Sequence, residues 1–300
     1  MNLSQVAAGV GGFVVNGEAA GDESGFSVSD AGDINDDGIN DLIIGARFAD
    51  PGGRSNAGKS YVVFGKGSAM PVELSQIATG AGGFVINGEA ADNLSGYSVS
   101  SAGDVNGDRL ADLIIGAPAA DVGSNSIAGK SYVIFGKANG TAVNLSTIAS
   151  GTGGFVINGE AVDNFSGRSV SGAGDVNGDG LADLIVGAPF ASPSSGVGAG
   201  RSYVVFGRAN GSAVNLSTVA SGTGGFVING QSAGDTSGFS VSDAGDVNGD
   251  GLGDLIIGAY GANLNGRATG KSYVVFGKTS GTAVNLSQVS SGAGGFVLTA

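Results

Sequence analysis

A 71-residue period runs the length of this chain. The phrase Gly-Gly-Phe-Val places its Phe at 13, 84, 155, 226 and 296, spacings of 71, 71, 71 and 70. An Asp that opens an acidic loop recurs at 33, 104, 175 and 246. The phrase Tyr-Val-Val/Ile-Phe-Gly has its Phe at 64, 135, 206 and 276. Such a chain folds as stacked copies of one supersecondary unit, because a single copy cannot bury its own faces. The one missing residue lies between Asp254 and Phe276, and the loop from Gly261 to Gly270 is the expected place for it. Four units result, at about 18–88, 89–159, 160–230 and 231–300, in a single domain spanning 1–300. A partial fifth copy is either 2–17 or 285–300, since both match the same part of the repeat. With the units set at those bounds, 2–17 becomes an extra outer strand.

Each unit holds four strand-like pieces between turn residues. In the first unit, residues 25–31 alternate apolar and polar, and 41–46 (Asp-Leu-Ile-Ile-Gly-Ala) are continuously apolar. Residues 59–65 are β-branched and aromatic, and 83–88 close the unit. A short helical turn is weakly indicated at 144–149. The expected class is all-β: a β-propeller of four-stranded antiparallel blades, four per chain. An open stack of hairpin units is the alternative architecture.

Composition removes several function classes. The chain has no Cys, His or Trp, so a Ser-His-Asp triad, a thiol nucleophile and a Cys/His zinc site are excluded. Asp and Glu outnumber Lys and Arg 26 to 13, a formal charge of −13. That argues against nucleic acid and anionic membrane as partners. Apolar runs are only a few residues long, so no membrane insertion is expected. Met1-Asn2-Leu3-Ser4 opens without a basic region and apolar core, so no signal peptide is expected in this chain.

The acidic loop carries the chemistry. It reads Asp33-Ile34-Asn35-Asp36-Asp37-Gly38-Ile39-Asn40-Asp41 in the first unit. The later units repeat its donors: Asp104, Asn106, Asp108, Leu110 and Asp112; Asp175, Asn177, Asp179, Leu181 and Asp183; Asp246, Asn248, Asp250, Leu252 and Asp254. Side-chain oxygens at positions 1, 3, 5 and 9, with the backbone carbonyl of position 7 (Ile39 and its equivalents), can converge on one hard cation. All-oxygen ligation by several carboxylates on a flexible loop favours Ca²⁺, about one per repeat. Gly at position 6 permits the positive φ of a curled loop, and Arg109 breaks that pattern in the second copy. The loop is not an EF-hand, since position 12 is Ile44, Ile115, Val186 or Ile257 rather than Glu. A plain hairpin turn would not need three carboxylates at fixed offsets in every copy. Four Ca²⁺ ions would bring the formal charge from −13 to −5.

These residues resemble the FG-GAP repeat, the blade unit of the integrin α-subunit propeller. Phe64-Gly65, Gly116-Ala117-Pro118, Gly187-Ala188-Pro189 and the acidic loop carry the resemblance, which covers essentially the whole chain. Gly45-Ala46-Arg47 and Gly258-Ala259-Tyr260 depart from it at a strand end. The resemblance implies a loop between the first two strands of each blade that holds Ca²⁺ structurally. The closeness of the units to one another is similar to repetitive FG-GAP arrays of large bacterial surface proteins. The family's usual ring has more than four blades. Three closures follow: a four-bladed ring in one chain, an eight-bladed ring from two chains, or an open fragment of a longer array.

Other residues repeat with the units. Lys59, Lys130, Arg201 and Lys271 precede the third strand and read as a solvated strand end or a surface ion pair. Glu18, Glu89 and Glu160 form a series broken by Gln231, and Tyr61, Tyr132, Tyr203 and Tyr273 read as core. Arg168 stands where other units have Phe26, Tyr97 and Phe239. The functional expectation is a calcium-binding structural or interaction module of adhesion type, not an enzyme, at the cell surface or outside the cell in its parent protein. Self-association as a homodimer, or a protein or glycan ligand, is the expected partnership. A carbohydrate-binding propeller is the alternative, weakened by the lack of Trp.

Overall fold

A computed structural model describes residues 2–264 and 267–299. Each unit forms a four-stranded antiparallel blade. The first has strands Ser27–Gly32, Asp41–Ala46, Lys59–Val63 and Gly83–Asn87. The second has Ser98–Gly103, Asp112–Ala117, Lys130–Ile134 and Gly154–Asn158. The third has Ser169–Gly174, Asp183–Ala188, Arg201–Val205 and Gly225–Asn229. The fourth has Ser237–Gly245, Asp254–Ala259, Lys271–Val275 and Gly295–Thr299. The C-terminal copy of the outermost strand therefore completes the fourth blade, and the N-terminal copy is the spare.

Two features of the blade exceed the sequence expectation. A short fifth strand from the next unit runs parallel to the fourth: Val143–Asn144 on the first blade, Val214–Asn215 on the second and Val284–Asn285 on the third. The weak helical turn is a real helix, Leu145–Ala149, and it recurs at Leu3–Ala7, Leu74–Ile77, Leu216–Ala220 and Leu286–Val289. Its apolar residues, such as Leu145 and Ile148, are buried against the blade, which stabilises a helix too short to stand alone. The shortened loop at 261–270 includes positions 265 and 266, which lie outside the described residues.

Register sorts each blade into two faces, because directly paired residues point the same way. Val28, Ile44, Tyr61 and Val85 are paired in one row, and Ser29, Ile43, Val62 and Phe84 in the next. At each junction the second row meets the first row of the following blade. Ile43, Val62, Phe84 and Ile86 pack on Val99, Leu113, Ile115 and Tyr132. The same arrangement joins the second blade to the third and the third to the fourth. Glycine sets the closeness. A Cβ on Gly45 would lie 2.1 Å from the carbonyl oxygen of Gly96 in the next blade, and one on Gly116 would lie 1.9 Å from that of Gly167.

The chain is an open arc. Inner strands of successive blades pack side by side, whereas those of the first and fourth blades are not joined in this way. Val28 is 66% exposed, against 4% for its equivalent Val99. At the other end Val247, Phe296 and Leu298 are exposed, although their counterparts at internal junctions are buried. Among the described residues the ring does not close within one chain.

Candidate metal centre

Every acidic loop begins at a β-bulge. Pairing shifts between Asp30 and Gly32, and at the same place in the other three blades, which turns the chain out of the first strand. Two left-handed residues then curl the loop. Position 6 has φ of 83°, 74°, 88° and 89° at Gly38, Arg109, Gly180 and Gly251. Arg109 thus accepts the positive φ that the glycines adopt without strain. Position 4 is left-handed as well, with Gly107, Gly178 and Gly249 joined by Asp36 at 62°. The sequence reading missed this second position, and the signal was the Gly that three of the four loops carry there.

The loop side chains hold this curl. Asp33 accepts from the amides of Asp37 and Gly38 at 3.1 and 2.8 Å. Asn35 Oδ1 accepts from the Asp37 amide at 3.0 Å, and Asp37 Oδ1 from the Ile39 amide at 2.9 Å. The pattern recurs at Asp104, Asn106 and Asp108, at Asp175, Asn177 and Asp179, and at Asp246, Asn248 and Asp250. Positions 1, 3 and 5 are therefore gathered around one turn, with the backbone of Ile39, Leu110, Leu181 or Leu252 following.

Position 9 is different. Asp41, Asp112, Asp183 and Asp254 are fully buried. Asp41 accepts from the Ile34 amide at 3.1 Å and from the Gly65 amide at 2.7 Å. Asp112, Asp183 and Asp254 bind Gly136, Gly207 and Gly277 in the same way. This explains the Phe-Gly phrase. Its Gly donates to the loop's last carboxylate, and a Cβ there would lie 2.4 Å from the Ile39 side chain. Burial pushes Asp112 and Asp183 up to about 7, against the pull of the two amides, with the neighbouring loop carboxylates adding to the rise. Burial raises Asp41 in the same direction.

Among the described residues no three acidic side chains sit close enough to hold a metal between them. Their oxygens lean on loop amides instead. The donor set still fits a hard cation in kind: it is all oxygen, and each carboxylate oxygen that accepts one amide keeps a further acceptor site.

The loops also join blades. The amides of Ala111, Ala182 and Gly253 donate to the carbonyls of Asp33, Asp104 and Asp175 in the preceding loop, at 3.3, 2.9 and 2.8 Å. Lys137, Arg208 and Lys278 donate to Ile34, Val105 and Val176. Loop shape and blade junction are thus one hydrogen-bonded system.

Two clusters lie elsewhere. Glu18 holds the Lys59 ammonium at 2.8 Å and the buried Tyr61 hydroxyl, and Glu89 does the same for Lys130 and Tyr132. Glu160 binds Arg201 and Tyr203. Burial beside the carboxylate drives these tyrosine hydroxyls upward. Three residue series that the sequence reading kept apart are one triad, and the signal was their shared period. Arg168 stacks over Tyr97 and Phe239 at 4.6 and 4.3 Å, so it takes the aromatic's place in that row.

The FG-GAP repeat family model matches residues 26–63, 95–134, 166–205 and 239–275. Integrin alpha-V of Gallus gallus is 31% identical over 255 residues, covering 82% of this chain and 21% of the integrin. Integrin alpha ina-1 of Caenorhabditis elegans is 32% identical over 188 residues, 59% of this chain and 16% of that protein. A phosphatidylinositol-glycan-specific phospholipase D of Bos taurus is 30% identical over 170 residues, 56% of this chain and 19% of the enzyme. The chain thus spans a fifth or less of two of these relatives and barely more of the first. In every blade the matched segment runs from the first strand through the acidic loop to the end of the third strand, and the chain belongs to the FG-GAP repeat family, as an integrin-like β-propeller.

Proposed function

We propose that this chain is a calcium-stabilised interaction module of adhesion type, part of a larger protein displayed at the cell surface. The observation that carries the reading is the link between loop and junction. Each of the first three loops offers backbone carbonyls to the next blade, so whatever rigidifies the loop rigidifies the arc. Positions 1, 3, 5 and 9 with the carbonyl of position 7 would hold the ion. A bound Ca²⁺ supplies positive charge that relieves repulsion among three carboxylates. Asp33 and its equivalents keep the loop curled, while Asp41 and its equivalents tie it to the third strand.

The residues assign no catalysis. The chain lacks His and Cys, and the acidic clusters already serve the loops. The relatives include integrins and phosphatidylinositol-glycan-specific phospholipases D, and integrin likeness over 82% of the chain favours protein recognition. Self-association belongs to this reading, because both terminal blades leave apolar side chains exposed: Val28 and Leu42 on the first, and Val247, Phe296 and Leu298 on the fourth.

Thermal melts with Ca²⁺ and after chelation test it. One site at a hundred times its Kd adds about 2.7 kcal/mol. Melting should rise clearly with Ca²⁺, and Asp37→Ala should shrink the rise more than Lys59→Ala. An unchanged melt after complete chelation removes the metal.

A further inference from the structure

We propose that the partly exposed end faces of the first and fourth blades are two halves of one blade junction, completed head to tail by a second copy of this chain. We further propose that segment 13–16 of the second copy replaces Gly295–Thr299 beside Lys271–Val275. The inference rests on the self-association reading above and names its chemistry.

Each device that joins internal blades is present at the ends without its mate. Ser27 Oγ accepts from the Val99 amide at 3.0 Å, Ser98 from Val170 at 3.1 Å and Ser169 from Val241 at 3.0 Å. The next donor–acceptor pair in that series is Ser240 on the fourth blade and Val28 on the first. Gly45, Gly116 and Gly187 press on Gly96, Gly167 and Gly238. The next glycine pair is Gly258 and Gly25. A Cβ on Gly25 meets nothing within 4 Å, and one on Gly258 meets only its own blade's Ser240, at 3.4 Å. The apolar residues correspond as well. Val247 and Phe296 of the last blade repeat Ile34 and Phe84, while Val28 and Leu42 of the first repeat Val99 and Leu113. A second copy presents the matching half without any new chemistry. The chain's own other end does not, because the inner strands of its first and fourth blades are not packed side by side. Two such contacts related by a twofold axis close on themselves.

The exchange follows from a duplicated strand. Phe13 and Val15 already pack on the first blade beside Tyr61, Val63 and Leu74. That is the position held by Phe84 and Ile86 at the next junction. Phe296 and Leu298 of an arriving fourth blade need the same space. Val15–Asn16 has an outer neighbour, Val72–Glu73, and Asn16 donates to Glu73 at 2.6 Å as Asn87 does to Asn144 at 3.2 Å. Its inner neighbour, a third strand, is the one element it lacks. Gly295–Thr299 has the inner neighbour, carries Thr299 where the other copies have Asn, and among the described residues pairs with no outer strand. Moving segment 13–16 onto Lys271–Val275 yields a complete blade with the same five strands as the internal ones.

The chain has no Cys, so a disulfide can report the pairing cleanly. Ile86 faces Ser60, Ile157 faces Ser131 and Ile228 faces Ser202, which places Val15 opposite Ser272 after exchange. Light scattering on the full chain should give twice 28.8 kDa. Oxidised Val15→Cys/Ser272→Cys should run as a covalent dimer, while Leu298→Cys/Ser272→Cys reports the unexchanged pairing and should bridge weakly. Gly258→Ala should melt like the parent in dilute solution, where both are monomers, yet associate at least tenfold more weakly. A mass of 28.8 kDa at all concentrations overturns self-association and exchange together. A dimer whose Val15→Cys/Ser272→Cys form bridges no two chains keeps self-association and overturns the exchange. A bridge within one chain, or full-strength association of Gly258→Ala, overturns the second-copy junction.

Discussion

Phe155 and Phe296 occupy the same place in the repeat, pair with the same third-strand residue type and follow the same Gly-Gly. Phe155 is fully buried, whereas Phe296 is 41% exposed. The strand forms equally well in both places. What differs is the next blade, which covers the second blade and is missing beyond the fourth. Strand formation in this chain is thus a property of the blade, and core formation is a property of the junction. Within the single chain, Val28 and Leu42 at one end of the arc and Val247, Phe296 and Leu298 at the other are left exposed, where the same apolar rows at internal junctions are buried.

That difference can be broken by substitution. Phe155→Ala should cost about 3–5 kcal/mol, the range for emptying a packed core site of an aromatic ring. Phe296→Ala, on a face already wet, should cost well under half of that. Urea melts of the two variants measure the gap, and equal losses would mean that the last face is covered in solution. Next in size is the glycine seam. Gly116→Ala forces a Cβ to within 1.9 Å of the Gly167 carbonyl and should destabilise by about 1–3 kcal/mol through overpacking. Gly258→Ala should leave the melt of the dilute protein unchanged, since its new atom meets only Ser240 at 3.4 Å.

The period made most of the fold legible. Once Phe13, Phe84 and their repeats are aligned, the four strands and the loop fall at fixed offsets, because each offset is set by local chemistry: β-branched runs, turn residues and clustered carboxylates. The fifth strand was not legible. Val143–Asn144 is two residues long and joins a sheet in another unit, so nothing local marks it. The loop donors were readable by residue type and spacing, but the buried clamp of Asp112 on Gly136 was not. That bond spans 24 positions and depends on where the third strand returns. The triad of Glu89, Lys130 and Tyr132 was hidden for the same reason: its members lie up to 43 residues apart. Openness of the arc was beyond the sequence altogether, since repeats of one unit specify a junction and not how many junctions are made.

The loops sharpen the comparison at the scale of one residue. Arg109 holds a φ of 74° where Gly180 holds 88° in an otherwise equivalent loop. A side chain in the left-handed region costs about 1–2 kcal/mol. Arg109→Gly should recover about 1 kcal/mol and raise the melting temperature by a few degrees, while Gly180→Arg should lose as much. If both substitutions are silent, the second loop is relaxed by contacts that its repeat-mates lack.

The smallest effect separates the fourth unit from the other three by charge. Gln231 sits where Glu18, Glu89 and Glu160 pair with a cation, and it accepts instead from Tyr273 at 2.7 Å and from Lys271 at 3.4 Å. Gln231→Glu restores the triad, and a half-buried pair of this kind adds about 0.5–1 kcal/mol. The pH dependence has a definite sign. Burial works to raise the Glu18 carboxyl, yet the hydrogen bonds from Lys59 and Tyr61 outweigh it and hold Glu18 below its ordinary 4.5. A carboxylate held low stabilises the fold above its unfolded value and loses that contribution as pH falls through the folded value. The gain from Gln231→Glu should therefore be full at pH 7 and fade as pH falls below the ordinary glutamate value and through the lowered folded one, as the carboxylate becomes protonated. A gain that persisted in acid would assign it to packing around Ser290, which also donates to Gln231 at 2.9 Å, and not to the ion pair.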